Sequence, residues 1–267
     1  MPSTLAAIVP SSELFVAGAA LIAATINAGA GGGSFITFPA LLAVGVPPVS
    51  ANATNNLGIW LGNITSVGGL RGDLDVPRPM LIKLLVTSVI GSLIGAYLLL
   101  RTKNETFVAL LPFLLLGATV IYILGPRITR ATHTLKFTKP ASPQALIAQL
   151  IINIYGGFFG AAQGILLLAL FSIMGLNDAR KANALKNFVG MTVNGIACIP
   201  YVLAHLIDWP TGIAMSVGSL SGGLLGAHIV KRLPSSALRG VVIVVASSMT
   251  LYFFWKTDIV HSGFSHF

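Results

Sequence analysis

One offset of 131 residues superimposes Asn52, Asn56 and Asn63 on Asn183, Asn187 and Asn194, so the chain reads as a duplicated unit. The same offset, without gaps, pairs Gly33 with Gly164, Gly91 with Gly222, Gly95 with Gly226 and Arg101 with Arg232. A shared apolar composition produces scattered Gly and Ala coincidences, but it does not hold register over two hundred residues while also pairing asparagines. Duplication constrains the fold most strongly when the duplicated material is apolar. Of the 267 residues 55% are hydrophobic and 9% charged, with a mean hydropathy of +0.87. No water-facing surface of that size tolerates this composition, which predicts an integral membrane protein. In duplicated membrane chains, substrate sites lie between the repeats near the bilayer midplane.

Four apolar segments read as spanning helices: Pro79 to Leu100, Phe107 to Leu124, Pro210 to Val230 and Ala237 to Trp255, each at or near the ~20 residues a bilayer needs. Ser50 to Leu70 and Ala182 to Leu203 match that length and carry the asparagines, so they read as spans with a polar stripe. The remaining apolar pieces are shorter. Leu14 to Ile26 and Phe35 to Val46 flank Gly29-Ala30-Gly31-Gly32-Gly33-Ser34, and the second half repeats this around Gly156 to Gly164. Pieces of this length reach about halfway across a bilayer, which favours a hairpin entering and leaving on one side; two short full spans give the same parity. The first piece is not expected to be a signal peptide, since no Lys or Arg precedes it and its counterpart lies in mid-chain.

Charge tests that parity. If each glycine-broken segment were one ordinary span, the 16 basic residues would divide evenly and orient nothing. With hairpins, Arg71, Arg78, Lys83, Arg127, Arg130, Lys136, Lys139, Arg180, Lys181, Lys186, Lys231, Arg232 and Arg239 share one side, leaving Arg101, Lys103 and Lys256 on the other. Such asymmetry marks the basic side as cytoplasmic. The expected fold is therefore an all-α membrane protein of two inverted repeats, each a glycine-broken hairpin, re-entrant or short, plus three transmembrane helices. The repeats take residues 1–125 and 143–267, joined by a basic cytoplasmic linker over 126–142. The net charge of +9 forms no run interleaved with aromatics, so it reads as topology and not as a nucleic-acid surface.

Glycine runs beside short helices leave backbone N–H groups unpaired, which a membrane tolerates only around a protected cavity or ligand. Helix N-termini there present positive dipole ends, so the expected ligand is an anion. Gly31, Gly32, Gly33 and Ser34 in one half, with Gly160, Gln163 and Gly164 in the other, would form two such tips; close helix packing is the alternative use of small residues. The Gly91 to Gly95 and Gly222 to Gly226 pairs, at GxxxG spacing, read as packing.

The stripes Asn52, Asn56 and Asn63, and Asn183, Asn187 and Asn194, offer neutral donors to an anion, or serve as interhelical glue. Lys186 stands where the first repeat has Asn55, and either faces the substrate or snorkels to the cytoplasmic surface beside Arg180 and Lys181. All seven carboxylates fall at segment ends or in loops, which disfavours a cation site. No spaced His, Cys or carboxylate cluster suggests a metal, and no cofactor is expected. The single Cys198 has no partner for an internal disulfide and reads as core filler.

The run from Gly29 to Pro39, GAGGGSFITFP, followed by the asparagine-bearing helix and a degenerate second copy, resembles the TauE/SafE family of sulfite exporters across essentially the whole chain. What the resemblance implies is export of sulfite, sulfoacetate or a related organosulfur anion across the bacterial cytoplasmic membrane. The expected partners are thus a small anion and the lipid bilayer, the oligomeric state being open. The alternatives are a passive anion channel and, further off, an intramembrane hydrolase.

Overall fold

A computed structural model describes residues 12–29, 31–132, 141–176, 178–229 and 235–256. Among these there are ten α-helices and no strand: α1 (Ser12–Gly29), α2 (Ser34–Ala43), α3 (Pro48–Leu70), α4 (Arg78–Leu100), α5 (Asn104–Thr132), α6 (Pro143–Phe158), α7 (Gln163–Ile173), α8 (Ala179–Leu203), α9 (Trp209–Ile229) and α10 (Ser235–Lys256). Ala30, Lys136, Lys139, Lys231 and Arg232, which figured in the sequence argument, lie outside the described residues.

Three helices among the described residues are long and apolar enough to cross a membrane: Ser12–Gly29, Arg78–Leu100 and Asn104–Ile128. Their outer faces are apolar too. Ile82, Val86, Ile90 and Tyr97 form an exposed stripe on α4, and Phe113, Leu116 and Val120 are exposed on α5. Lipid is the environment in which such faces carry no penalty.

The hairpins differ from the half-length pieces expected. Each has a long first limb and a short second one: α1 has 18 residues and α6 has 16, against 10 in α2 and 11 in α7. At ~1.5 Å per residue α1 extends about 27 Å and α2 about 15 Å. Asn27 explains the difference. Its polarity ends the apolar run in the sequence, but its side chain is bonded on both ends, so the helix continues through it. In the middle of the chain, α5 likewise runs past Pro126 to Thr132, into the stretch read as linker, and α6 starts at Pro143 with Ser142 accepting the Ala145 N–H.

Helix packing is symmetric under exchange of the two halves. α1 packs on α9 as α6 packs on α4, α3 on α9 as α8 on α4, and α5 on α7 as α10 on α2. The GxxxG glycines lie in these seams. Gly218, Gly222 and Gly226 face the backbone of Ala17, Leu21 and Thr25, so α1 and α9 run parallel; Gly91 and Gly95 face Leu150 and Ile154 to Phe158, so α4 and α6 do as well. A Cβ at Gly95 or Gly226 would collide with that backbone. Counterpart helices instead cross antiparallel. Asn63 lies against Gly190 and Trp60 against Gly195 between α3 and α8, while Thr119 meets Thr250 and Phe113 meets Phe254 between α5 and α10.

At the α8 N-terminus the Asp178 carboxylate accepts the N–H groups of Arg180 at 2.8 Å and Lys181 at 3.3 Å, and these bonds, that to Lys181 foremost, hold its pKa below the ordinary carboxylate value. Lys181 in turn pairs with Asp75 at 2.6 Å, tying the start of α8, beside the α7–α8 loop, to the α3–α4 loop. Both loops belong to the basic side of the sequence reading.

Candidate functional site

The two hairpin tips meet over a cavity of about 40 Å³. A water occupies roughly 10–15 Å³ on this measure, so the space suits a few waters or one small oxyanion. Gly32 and Ser34 reach it from the first tip, and Gly160, Gln163 and Gly164 from the second. Asn55, Asn56 and Asn63 enter from α3, and Lys186, Asn187 and Asn194 from α8. These positions start seven residues into each helix, so the cavity is on the order of 10 Å or more from either helix start. A larger groove between Pro39, Pro48 and Phe253 is lined by apolar side chains and Tyr252, with no amide or charged side chain.

Of the fourteen residues singled out in the sequence, ten therefore line one cavity, and four do not: Gly31, Gly33, Asn52 and Asn183. Gly31 takes φ +73° and its carbonyl accepts the Tyr122 hydroxyl at 3.2 Å. Gly33 packs against the Ala23 carbonyl. Asn52 donates to the Phe158 carbonyl and Asn183 to the Ala28 carbonyl, each at 2.8 Å, so both close the ends of long hairpin limbs. Asn187 lines the cavity yet also donates to Ala28, at 3.1 Å. The left-handed turn needed at Gly31 recurs at its counterpart Ala162, with φ +61°, where a Cβ makes that conformation costly.

The amide orientations follow from fixed donors. The Gly33 N–H donates to Asn27 Oδ1 at 3.4 Å, so Asn27 turns its Nδ2 to Asn63 Oδ1 at 3.1 Å, and Asn63 turns its own Nδ2 to the cavity. Asn55 accepts the Thr37 hydroxyl on Oδ1, which leaves its Nδ2 free in the same way. Among the described residues no protein acceptor meets the Nδ2 of Asn55 or Asn63, and the amides of Asn56 and Asn194 have no protein partner at either end, the Asn56 Oδ1 being buried. Lys186 adds charge. Its stem packs on Gly164, it is 4% exposed, and Nζ donates to the Asn27 carbonyl at 3.1 Å. It does not snorkel. No Asp or Glu lines the cavity, and the N-termini of α2 and α7 both border it.

Sequence reasoning missed Asn27 and Asn153, which orient the lining amides. At the repeat offset Asn27 faces Phe158 and Asn153 faces Ile22, so the duplication signal passes over both. A polar residue inside an otherwise apolar helix was the available clue.

Residues 16–253 match the family model described as Sulfite exporter TauE/SafE. The chain belongs to the sulfite exporter TauE/SafE family. It is 30% identical over 247 residues to the "Probable membrane transporter protein YfcA" of Escherichia coli K12, covering 91% of this chain and 90% of that protein. A "Probable membrane transporter protein" of Haemophilus influenzae is 30% identical over 237 residues, 86% of this chain and 89% of its own. One from Sinorhizobium, designated ORF9, is 27% identical over 240 residues, 89% and 90% of the two chains. No solved structure matches. Family, relatives and apolar helices together make this a multi-pass membrane protein of a transporter family.

Proposed function

We propose that this TauE/SafE protein exports a small sulfur oxyanion or organosulfonate, such as sulfite or sulfoacetate, from the cytoplasm across the bacterial inner membrane. The observation that carries the reading is the set of amide donors without protein acceptors, gathered with Lys186 and two helix N-termini around a cavity free of carboxylates. A ligand there is required to accept hydrogen bonds and to bring negative charge, and an oxyanion does both. A buried lysine facing only a carbonyl leaves much of its desolvation cost uncompensated, which an anion would offset.

The transport mode in this reading is alternating access between two inverted repeats. The antiparallel crossings of α3 with α8 and of α5 with α10 support inversion, because each crossing joins counterpart helices. The meeting of both hairpin tips, with Phe38 on Phe159 at 5.8 Å between ring centres, gives an element that would open on one face at a time.

The deciding experiment uses protein in proteoliposomes loaded and challenged with sulfite, sulfoacetate, sulfate, taurine and acetate. Saturable uptake with counterflow for a sulfur anion is the expected result. Uptake without counterflow would make the protein a channel, and no anion flux at all would remove the proposal.

A further inference from the structure

We infer that Gln163 presents a fixed hydrogen-bond acceptor to the cavity, and that the site therefore selects anions carrying their own O–H or N–H over anions of equal size and charge that carry none. The inference rests on the anion-site reading above and adds the substrate class within it.

A buried polar relay sets the direction of the Gln163 amide. The Ser88 hydroxyl lies 2.6 Å from the Leu84 carbonyl and 3.2 Å from both Asn153 Nδ2 and Gln149 Nε2. The shortest contact takes the single hydroxyl proton, so Ser88 Oγ is left to accept. Gln149 Nε2 reinforces this by donating to the same pair of oxygens, Leu84 at 3.1 Å and Ser88. Asn153 must then point Nδ2 at Ser88, which turns its Oδ1 to Gln163, and Gln163 Nε2 donates there at 3.2 Å. What remains for the cavity is Gln163 Oε1, with no donor among the described residues.

Three features make that carbonyl a built part of the site. Ser88, Gln149 and Asn153 are fully buried and Gln163 is 5% exposed, so the relay is protected from competing water. Gly156 packs directly against the Gln163 amide, and a Cβ there would overlap it, which confines the plane of the amide. The contrast with Asn55 and Asn63 is the third. Those two amides have their oxygens engaged by protein and show nitrogen to the cavity, whereas Gln163 has its nitrogen engaged and shows oxygen. The Oδ1 atoms of Asn56 and Asn187 also lack donors but are fully buried, and Asn194, bonded at neither end, can present either atom. Gln163 is thus the lining amide whose relay fixes an accessible oxygen, as an anion with one hydrogen requires. A fully deprotonated oxygen placed against Oε1 would meet a lone pair, and a site built around a hydrogen bond discriminates strongly against an analogue that cannot make it.

Hydrogensulfite and chlorate provide the test, since both are pyramidal three-oxygen monoanions and only the first carries hydrogen. Binding of each is measured calorimetrically on the full chain in lipid nanodiscs at one mildly acidic pH, so the charge state of Lys186 is common to the two. The wild type should favour hydrogensulfite by about tenfold or more. Gln163→Leu should bring the two within about threefold by weakening hydrogensulfite while chlorate binding persists, the latter reporting a folded site. Ser88→Ala, which frees the relay to turn, should reduce the preference partway, and decides the matter should Gln163→Leu bind neither ion. Equal affinities in the wild type, a preference that survives in Gln163→Leu, or one left undiminished in Ser88→Ala, would overturn the inference and leave the anion site standing. Absence of binding by either ion in the wild type would overturn both.

Discussion

Asn52 and Asn183, counterparts in the two halves, each hold the end of the opposite half's long hairpin limb, Asn52 on the Phe158 carbonyl and Asn183 on the Ala28 carbonyl, both at 2.8 Å. Helix-end carbonyls have no partner within their own helix, and in a membrane no water compensates. The repeats are thus interlocked by reciprocal caps, and neither hairpin is held by its own half alone.

These caps differ in redundancy. The Ala28 carbonyl has a second donor in Asn187, whereas among the described residues Asn52 alone donates to Phe158. Asn52→Ala is expected to lower stability by about 1–3 kcal/mol and Asn183→Ala by less, because only the former leaves a buried carbonyl unpaired. Thermal unfolding in nanodiscs gives the ranking, and anion affinity should change little in either variant. A larger loss in Asn183→Ala would contradict the redundancy.

Gly95→Ala should destabilise by about 1–3 kcal/mol or more, since its Cβ would overlap the α6 backbone. Gly117→Ala, at a position with open space around it, should be neutral or stabilise by up to about 1 kcal/mol. Melting temperatures of the two purified variants, compared under one detergent condition, check the difference.

Lys186→Asn restores the residue that the first repeat has at Asn55. Loss of a charge-assisted contact of roughly 1.5–3 kcal/mol should weaken anion binding by about tenfold or more. Arg180→Asn, an exposed change nearly two turns away on the same helix, should have little effect. Isothermal titration with sulfite distinguishes them, and a greater dependence on Arg180 would move the charge from the cavity to its mouth.

Topology is testable with single cysteines in a Cys198→Ser background. Gly72, Lys103 and Ala204 are all exposed. A cysteine at Gly72 should react only with a membrane-permeant reagent, while those at Lys103 and Ala204 should react from outside. Labelling of all three from one face would remove the inverted arrangement.

The offset pairing of asparagines and glycines made the duplication and most of the cavity lining readable, because residues that recur at a fixed spacing occupy equivalent places. It did not distinguish asparagines that face the cavity from those that cap a helix. Asn52 and Asn56 lie on one face, a turn apart, and which of them meets Phe158 depends on where α6 ends against α3. The limb lengths were hidden for a related reason. A polar residue such as Asn27 looks like a terminus when its partners, Gly33 and Asn63, are not yet in place. Amide orientation, on which the selectivity of the site turns, is set by Ser88 and Asn153 on α4 and α6, and no local pattern announces a relay assembled from separate helices.

Thr119 and Thr250 share a hydrogen bond at 3.1 Å and are counterparts at the 131-residue offset, so each is in contact with its own equivalent. In an oligomer such a contact is isologous and fixes the position of the two-fold axis. In the inverted-repeat reading proposed above, the chain keeps the geometry of a dimer made from a single half, with α5 and α10 as its self-complementary face. An unduplicated ancestor using that face would have had to insert in both orientations. Gene fusion would then have frozen the two orientations into one chain, freeing the halves to diverge, as Lys186 has from Asn55.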